Sequence, residues 1–304
     1  IESFKKNLPK ESDKIIMKTS SYYMNNRKIF SKKINDLFKD YLKDIQSDKS
    51  EISCSQDNND TFSLLTHQKI VRDYLNIYTP YRGLLLYHGL GSGKTCSSIA
   101  LAEGMKTDKK IVILTPASLK MNFFSELKKC GDLLFKKNQY WEFISIDGEP
   151  ENVEILHKTL NISREYIRKR KGAWMVNVNK QPNFSTLTSE DQDKVDHQLN
   201  EMIRVKYMDL NYNGLNMKAL ERITGKFTRN PFDNCVLVID EAHNFVSRIT
   251  NKLNKKKSLS YMLYDYIMSA QNAKVILLSG TPIVNKSNEI SIMFNMLRGY
   301  IKTW

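Results

Sequence analysis

Three glycines at alternate positions, Gly89, Gly91 and Gly93, run directly into Lys94 and Thr95. The combination suits the binding of a polyphosphate. Glycine lets the backbone curl until several N–H groups aim at one anion. A helix that starts at the lysine adds the partial positive charge of its first turn. Lys94 would offer a point charge to the β- and γ-phosphates, and the Thr95 hydroxyl a hard oxygen ligand for Mg²⁺. The candidate nucleotide-binding stretch is therefore His88, Gly89, Leu90, Gly91, Ser92, Gly93, Lys94 and Thr95. His88 stands where the strict pattern G-x-x-x-x-G-K-[ST] begins with glycine. The competing reading is a glycine-rich turn with an incidental Lys-Thr pair.

A second set follows an apolar run, Cys235 to Ile239, which ends in Asp240-Glu241-Ala242-His243. Asp240 can hold the water shell of Mg²⁺, and Glu241 can polarise a water that attacks a γ-phosphate. Adjacent acids elsewhere are mostly helix caps or solvated pairs. Their position here, at a strand end about 145 residues past the glycine loop, favours the chemical role. Another apolar run, Lys274 to Leu278, delivers Ser279-Gly280-Thr281-Pro282, whose hydroxyls could sense carboxylate and γ-phosphate; the plain alternative is a Gly-Thr-Pro turn. Gln68 lies upstream of the glycine loop, and its amide could both donate to and accept from an adenine edge. Thr115-Pro116 closes the run Lys110 to Leu114 and could present a hydroxyl and backbone N–H groups to a nucleic-acid phosphate.

The elements that must position these groups are legible as pattern. Gly83 to Tyr87, 110–114, 235–239 and 274–278 are short apolar runs that read as buried strands, and Trp141 to Ile146 is a further candidate strand. Helical spacing recurs over 29–47, from Thr61 to Tyr78, after Thr95 and over 118–129. Strands alternating with helices predict an α/β fold with a mostly parallel sheet and helices on both faces. Ligands of such sheets sit at the carboxyl ends of the strands. Residues 1–60 read as a basic, partly helical extension and 61–304 as one lobe, with an insertion at about 148–205. Within that insertion, Ser189 to Gln192 reads as a capping box. Arg168, Lys169, Arg170 and Lys171 form a basic cluster there, equally a nucleic-acid patch or a solvated face.

The chain has 304 residues with 47 Lys+Arg against 33 Asp+Glu, a net charge of +14 that favours a polyanionic partner. The hydrophobic share of 41% suits a globular protein, and no apolar run approaches the roughly 18 residues of a membrane span. No membrane partner is expected. The four cysteines are widely spaced and read as reduced thiols of a reducing compartment. A start at Ile1 reads as a piece of a longer chain.

Gln68, the loop through Thr95, Thr115-Pro116, Asp240 to His243 and Ser279 to Pro282 together resemble the first RecA-like lobe of superfamily 2 helicases, matching the Q motif and motifs I, Ia, II and III in order. Leu85 to His88, Asn211 to Leu215, Asp240 to Asn244 and Leu278 to Ile283 are most similar to Swi/Snf-type ATPases of large nucleocytoplasmic DNA viruses, the group of nucleoside triphosphatase I and the poxvirus early transcription factor small subunit. The resemblance implies a RecA-like P-loop NTPase lobe that uses ATP and Mg²⁺, with Lys94, Asp240 and Glu241 catalytic. It implies that His243, Ser279, Gly280 and Thr281 couple nucleotide state to DNA. It further implies duplex DNA as partner, the transcription machinery as a possible one, and a place in host cytoplasm or virion. A second RecA-like lobe of the same polypeptide would carry the arginine finger, so the lobe alone is expected to be nearly inactive. Two alternatives stay open: a DNA- and partner-binding transcription subunit with low ATPase activity, and an RNA helicase lobe.

Overall fold

The computed structural model describes Asn7 and residues 26–47, 66–76, 79–87, 89, 93–106, 108–147 and 151–299. In chain order the helices and strands are α1 (Arg27–Leu37), α2 (Lys39–Ser47), α3 (Thr66–Tyr74), β1 (Gly83–Tyr87), α4 (Lys94–Gly104) and β2 (Lys110–Thr115). Then come α5 (Lys120–Cys130), β3 (Trp141–Ser145), α6 (Glu151–Leu160), α7 (Arg164–Arg170), β4 (Gly172–Val176), α8 (Ser189–Lys206) and β5 (Tyr207–Asn211). The last six are α9 (Met217–Ile223), β6 (Cys235–Ile239), α10 (Ala242–Thr250), α11 (Leu259–Ser269), β7 (Lys274–Ser279) and α12 (Asn288–Arg298). The described residues fall into two compact units. The larger takes those between 26 and 121 together with 209–299; the smaller takes 122–208 with Asn7.

The larger unit is built on a five-stranded sheet of order β1-β7-β6-β2-β5, in which β1–β7, β7–β6 and β6–β2 are parallel. Every residue of β6 and β7 is buried, as continuous apolar runs in the middle of a sheet covered on both faces should be. Strand β1 lies at the edge and ends in an exposed Tyr87. This is the expected α/β fold of the RecA-like class.

The opposite edge of the sheet, at the strand starts, is held by two cations on backbone carbonyls, the buried Lys274 and the half-buried Arg82. The Lys274 ammonium donates to the Thr79 and Tyr81 carbonyls at 2.7 and 2.6 Å. Arg82 donates to Met296 O at 3.2 Å and to Ile267 O, reaching the last turns of α12 and α11. Both contacts add a donor to carbonyls in the last turn of a helix.

The helical stretch expected over 29–47 is two helices broken at Phe38, which is buried. Tyr41 Oη donates to Asp73 Oδ2 at 2.6 Å, so α2 packs onto α3 instead of standing free. The helix anticipated from Thr61 to Tyr78 is seen as Thr66–Tyr74, with 61–65, Ile77 and Tyr78 outside the described residues.

In the smaller unit the strand anticipated at 141–146 forms as β3 but pairs antiparallel with β4 in a separate two-stranded sheet. The capping box expected at Ser189 begins one residue earlier. Thr188 is the N-cap, its hydroxyl accepting from Asp191 N at 3.2 Å and donating to Asp191 Oδ2 at 2.9 Å. Gln198 on α8 grips the backbone of Trp174 on β4, accepting from its N–H at 2.9 Å and donating to its carbonyl at 2.7 Å. Cys235 is free and buried. No described helix is long and apolar enough to cross a membrane.

Candidate nucleotide site

Parallel pairing brings the carboxyl ends of three strands to one edge. Tyr87 of β1 is in register with Ser279 of β7, and Ile239 of β6 with Leu277. The residues that follow these positions are the glycine loop, Gly280-Thr281 and Asp240-Glu241. The Lys94 charge favours ionisation of the Asp240 carboxyl. Two segments far apart in sequence are thus carried to one edge of the sheet, on either side of β7.

Gly93 ends the loop and caps α4 with φ +72°, a left-handed conformation that costs glycine little. A Cβ there would also lie 2.4 Å from Gln68 Nε2. Gln68 is itself buried and donates to Gly93 O at 3.3 Å, so its amide packs on the loop's last residue. Lys94 donates to Gly89 O at 3.1 Å, bridging the first and last glycines of the loop. Ser97 Oγ also donates to Gly93 O, at 3.1 Å, and Ser98 Oγ to Thr95 O at 2.8 Å. His88, Leu90, Gly91 and Ser92 lie outside the described residues.

At the β6 tip, burial and then the Glu241 charge push the Asp240 carboxyl up to about 6; the Glu241 N–H, donating at 2.9 Å, and Lys94 oppose the shift. Glu241 has φ +47°, a strained conformation for a residue with a side chain, and it caps α10. Beneath both acids sits Tyr212, whose hydroxyl donates to the carbonyls of Glu241 and Asp240 at 3.3 and 3.4 Å. Arg248 of α10 donates to the Tyr212 carbonyl at 3.1 Å and to Asn213. The Asn211–Leu215 turn is therefore a wedge under the acidic tip. Tyr212 lies in the Asn211–Leu215 stretch that carries the resemblance, but no local pattern marks a tyrosine as a prop for another strand, or Arg248 as its support.

His243 Nδ1 lies 3.1 Å from Ser279 Oγ and 3.4 Å from Glu241 Oε2. Ser279 Oγ in turn accepts from Thr281 N at 3.1 Å. A continuous polar path runs from Glu241 through His243 to Ser279 and Thr281. Just beyond it, the buried Glu289 accepts from the N–H groups of Val284 and Asn285 at 2.9 and 3.1 Å, and Asn285 Nδ2 donates to Ser247 Oγ of α10 at 2.7 Å.

Thr115 and Pro116 are buried, and the Thr115 hydroxyl has no hydrogen-bond partner. Ala117 and Ser118 are the exposed residues at that strand end. Arg168, Lys169, Arg170 and Lys171 belong to the smaller unit and are all exposed.

The donor set at the strand tips fits ATP with Mg²⁺. The Thr95 hydroxyl and Asp240 carboxylate are hard oxygens of the kind that cation takes. A carboxyl raised by burial and a neighbouring acid is one whose ionisation a bound cation would favour.

A parallel sheet with a glycine loop, a lysine and an acidic pair at its carboxyl edge defines a RecA-like P-loop NTPase lobe. The chain belongs to the SNF2-related family: the family model described as "SNF2-related domain" matches residues 45–302. Among relatives, a protein of Acanthamoeba polyphaga mimivirus with the provisional name ATP-dependent RNA helicase R563 is 31% identical over 233 residues, 76% of this chain and 32% of that one. The termination factor NPH-I homolog of African swine fever virus is 28% identical over 220 residues, 72% of this chain and 23% of that one. This chain thus spans about a third or less of the length of these curated relatives. A solved structure, the Sulfolobus solfataricus SWI2/SNF2 ATPase core in complex with dsDNA, is similar with a TM-score of 0.41 and 16% identity, covering 78% of this chain and 36% of that one.

Proposed function

We propose that this chain is the first, ATP-binding lobe of a nucleic-acid-stimulated ATPase motor that translocates on duplex DNA in the service of viral transcription. The observation that carries the reading is the strand order, which sets Lys94, after β1, and Asp240, after β6, at one carboxyl edge on either side of β7. In this reading the loop from His88 to Thr95 cradles the phosphates, Lys94 draws the terminal ones, and Gln68 orders the loop and reads adenine. Thr95 and Asp240 hold Mg²⁺, which when bound would neutralise phosphate charge. Glu241 takes up a proton from the attacking water, and its left-handed backbone turns the chain from β6 into α10. His243 senses Glu241 and passes its state through Ser279 to Thr281. Nucleic-acid phosphate is met at the β2 tip by the exposed 117–118 backbone, with Thr115 and Pro116 shaping the turn.

Residues 1–60 act as an extension and about 148–205 as an insertion of this lobe. A second RecA-like lobe completes the catalytic site by supplying an arginine, so the isolated lobe binds nucleotide and turns over little. The test is direct. In the complete protein Lys94→Ala should abolish nucleotide binding and hydrolysis, and Glu241→Gln should retain binding of a fluorescent ATP analogue with no turnover. Hydrolysis that survives in both variants overturns the assignment. One relative is named an RNA helicase and another a termination factor, so competition between duplex DNA and RNA for ATPase stimulation identifies the polymer; stimulation by RNA alone replaces the DNA reading.

A further inference from the structure

The smaller unit carries a charged face that the nucleotide site does not use. Much of its basic charge is neutralised locally: Lys128 and Lys137 meet Asp196 at 2.8 and 2.5 Å, Arg164 meets Glu154 at 2.6 Å, and Arg204 meets Glu201 at 2.7 Å. Arg168, Lys169, Arg170 and Lys171 stand apart from these pairs. All four are exposed, and none has a carboxylate partner among the described residues.

Local structure explains how they are displayed. Helix α7 is capped by Ser163, whose hydroxyl accepts from Tyr166 N at 3.1 Å, and it buries Ile167 alone, so its last turn faces outward. The Arg170 guanidinium lies 5.9 Å from the centre of the Tyr166 ring. Lys171 ends the helix in a left-handed conformation, and Gly172 follows with φ +152°. A Cβ on Gly172 would lie 2.7 Å from the Phe143 ring, so glycine is what allows that ring to rest on the backbone beside Lys171. Trp174 meets the same ring edge-on, with centroids 5.4 Å apart, yet Phe143 stays 45% exposed. The result is an aromatic ring fixed by its neighbours and resting on Gly172, the residue that follows the cationic run 168–171.

We propose that this face binds single-stranded nucleic acid, with an unpaired base stacked on Phe143 and the flanking phosphates on Arg168, Lys169, Arg170 and Lys171. Every base has a face that an aromatic ring can stack on, and a basic groove tracks the backbone without regard to sequence. A duplex keeps its bases paired and stacked inside, so it can use the cations but not the ring. An acidic peptide likewise leaves the ring without a role. The proposal rests on the reading that the protein works on nucleic acid, and it is independent of the nucleotide site.

Anisotropy of the full chain with labelled oligo-dT, oligo-U and duplex DNA, each about 20 units long, tests it. Replacing the four cations by alanine should weaken single-strand binding at least about tenfold and lower the salt slope by roughly 3, at about 0.7 per phosphate contact. Phe143→Leu, which keeps an apolar side chain, should weaken single-strand binding about fivefold or more, leave the salt slope unchanged and spare the duplex. Phe143→Trp should restore binding. Weaker binding of oligo-dT than of oligo-U, or the reverse, identifies the strand as RNA or DNA and supports the proposal either way. Equal losses for single strand and duplex in Phe143→Leu overturn it, as does displacement of the oligonucleotide by polyglutamate at equal charge. If duplex binding persists while no variant affects the single strand, this proposal fails alone. If the chain binds no nucleic acid, the functional reading fails with it.

Discussion

His243 Nδ1 stands 3.1 Å from Ser279 Oγ, joining the helix after the acidic strand to the tip of the neighbouring strand. The same nitrogen is 3.4 Å from Glu241 Oε2, so one imidazole touches both the proposed base and the segment that leads away from it. Removing it should therefore separate nucleotide chemistry from its consequence. His243→Ala and Ser279→Ala in the complete protein are expected to keep nucleotide affinity within about twofold. Stimulation by nucleic acid should fall by roughly tenfold, within the usual range of coupling energies. Steady-state ATPase measured with and without duplex checks this; an unchanged stimulation ratio in both variants refutes it.

Asp240 gives a prediction in pH. Its folded pKa of about 6 lies above the ordinary 3.8, because burial and Glu241 disfavour the charge. The folded state then binds the proton more tightly than the unfolded one. The resulting stabilisation is full below about pH 4 and is lost as pH rises through 6. Asp240→Asn should accordingly be more stable than wild type at neutral pH, by up to about 3 kcal/mol, while losing Mg²⁺-dependent nucleotide binding. Thermal melts across pH 3.5 to 8 check it, with the two curves expected to converge at the acid end. A variant less stable at neutral pH would contradict the sign.

Gly93 and Gln68 should behave as a coupled pair. Gly93→Ala meets two obstacles, the left-handed backbone and a Cβ only 2.4 Å from Gln68 Nε2. Adding Gln68→Ala removes the second and leaves the first, worth about 1–2 kcal/mol. The double variant is thus expected to recover part of the thermal stability lost by Gly93→Ala, without recovering nucleotide binding. Strictly additive losses in melting temperature would show that the side chain can step aside.

Lys274 offers a test at the other sheet edge. Burial, and then the Lys109 charge, push its ammonium down to about 8. The unfolded chain, with the ordinary value of 10.5, holds more protons than the folded one between these limits. Stability contributed by this group therefore rises with pH across about 8 to 10.5. Lys274→Met, which carries no titrating charge, should lack that rise. Denaturant midpoints of both proteins at pH 7.5 and 9.5 check it; parallel trends would sink the assignment.

Much of the sheet was legible because buried parallel strands are short apolar runs, and Gly83–Tyr87, Lys110–Thr115, Cys235–Ile239 and Lys274–Ser279 are each such a run. The residue types that suit phosphate chemistry could be read at their ends for the same reason. Other features were not legible. Thr188, not Ser189, caps α8, since either hydroxyl suits the position and only backbone geometry chooses. The strand at Trp141 gave no sign that its partner would be Gly172–Val176. Nothing local to Tyr212 or Glu289 says that each supports a loop distant in sequence.

By itself the sequence determined four strands of the main sheet, several of the helices and which side chains stand at the strand tips. Those depend on periodicities of two and 3.6 residues that a short window contains. Only the tertiary structure decided that β7 lies between β1 and β6, that the Lys94 charge acts on the Asp240 carboxyl, that Thr115 is buried, and that Phe143 lies on Gly172. Strand order, burial and the field at a carboxyl arise from contacts between segments remote along the chain, and no local pattern carries them.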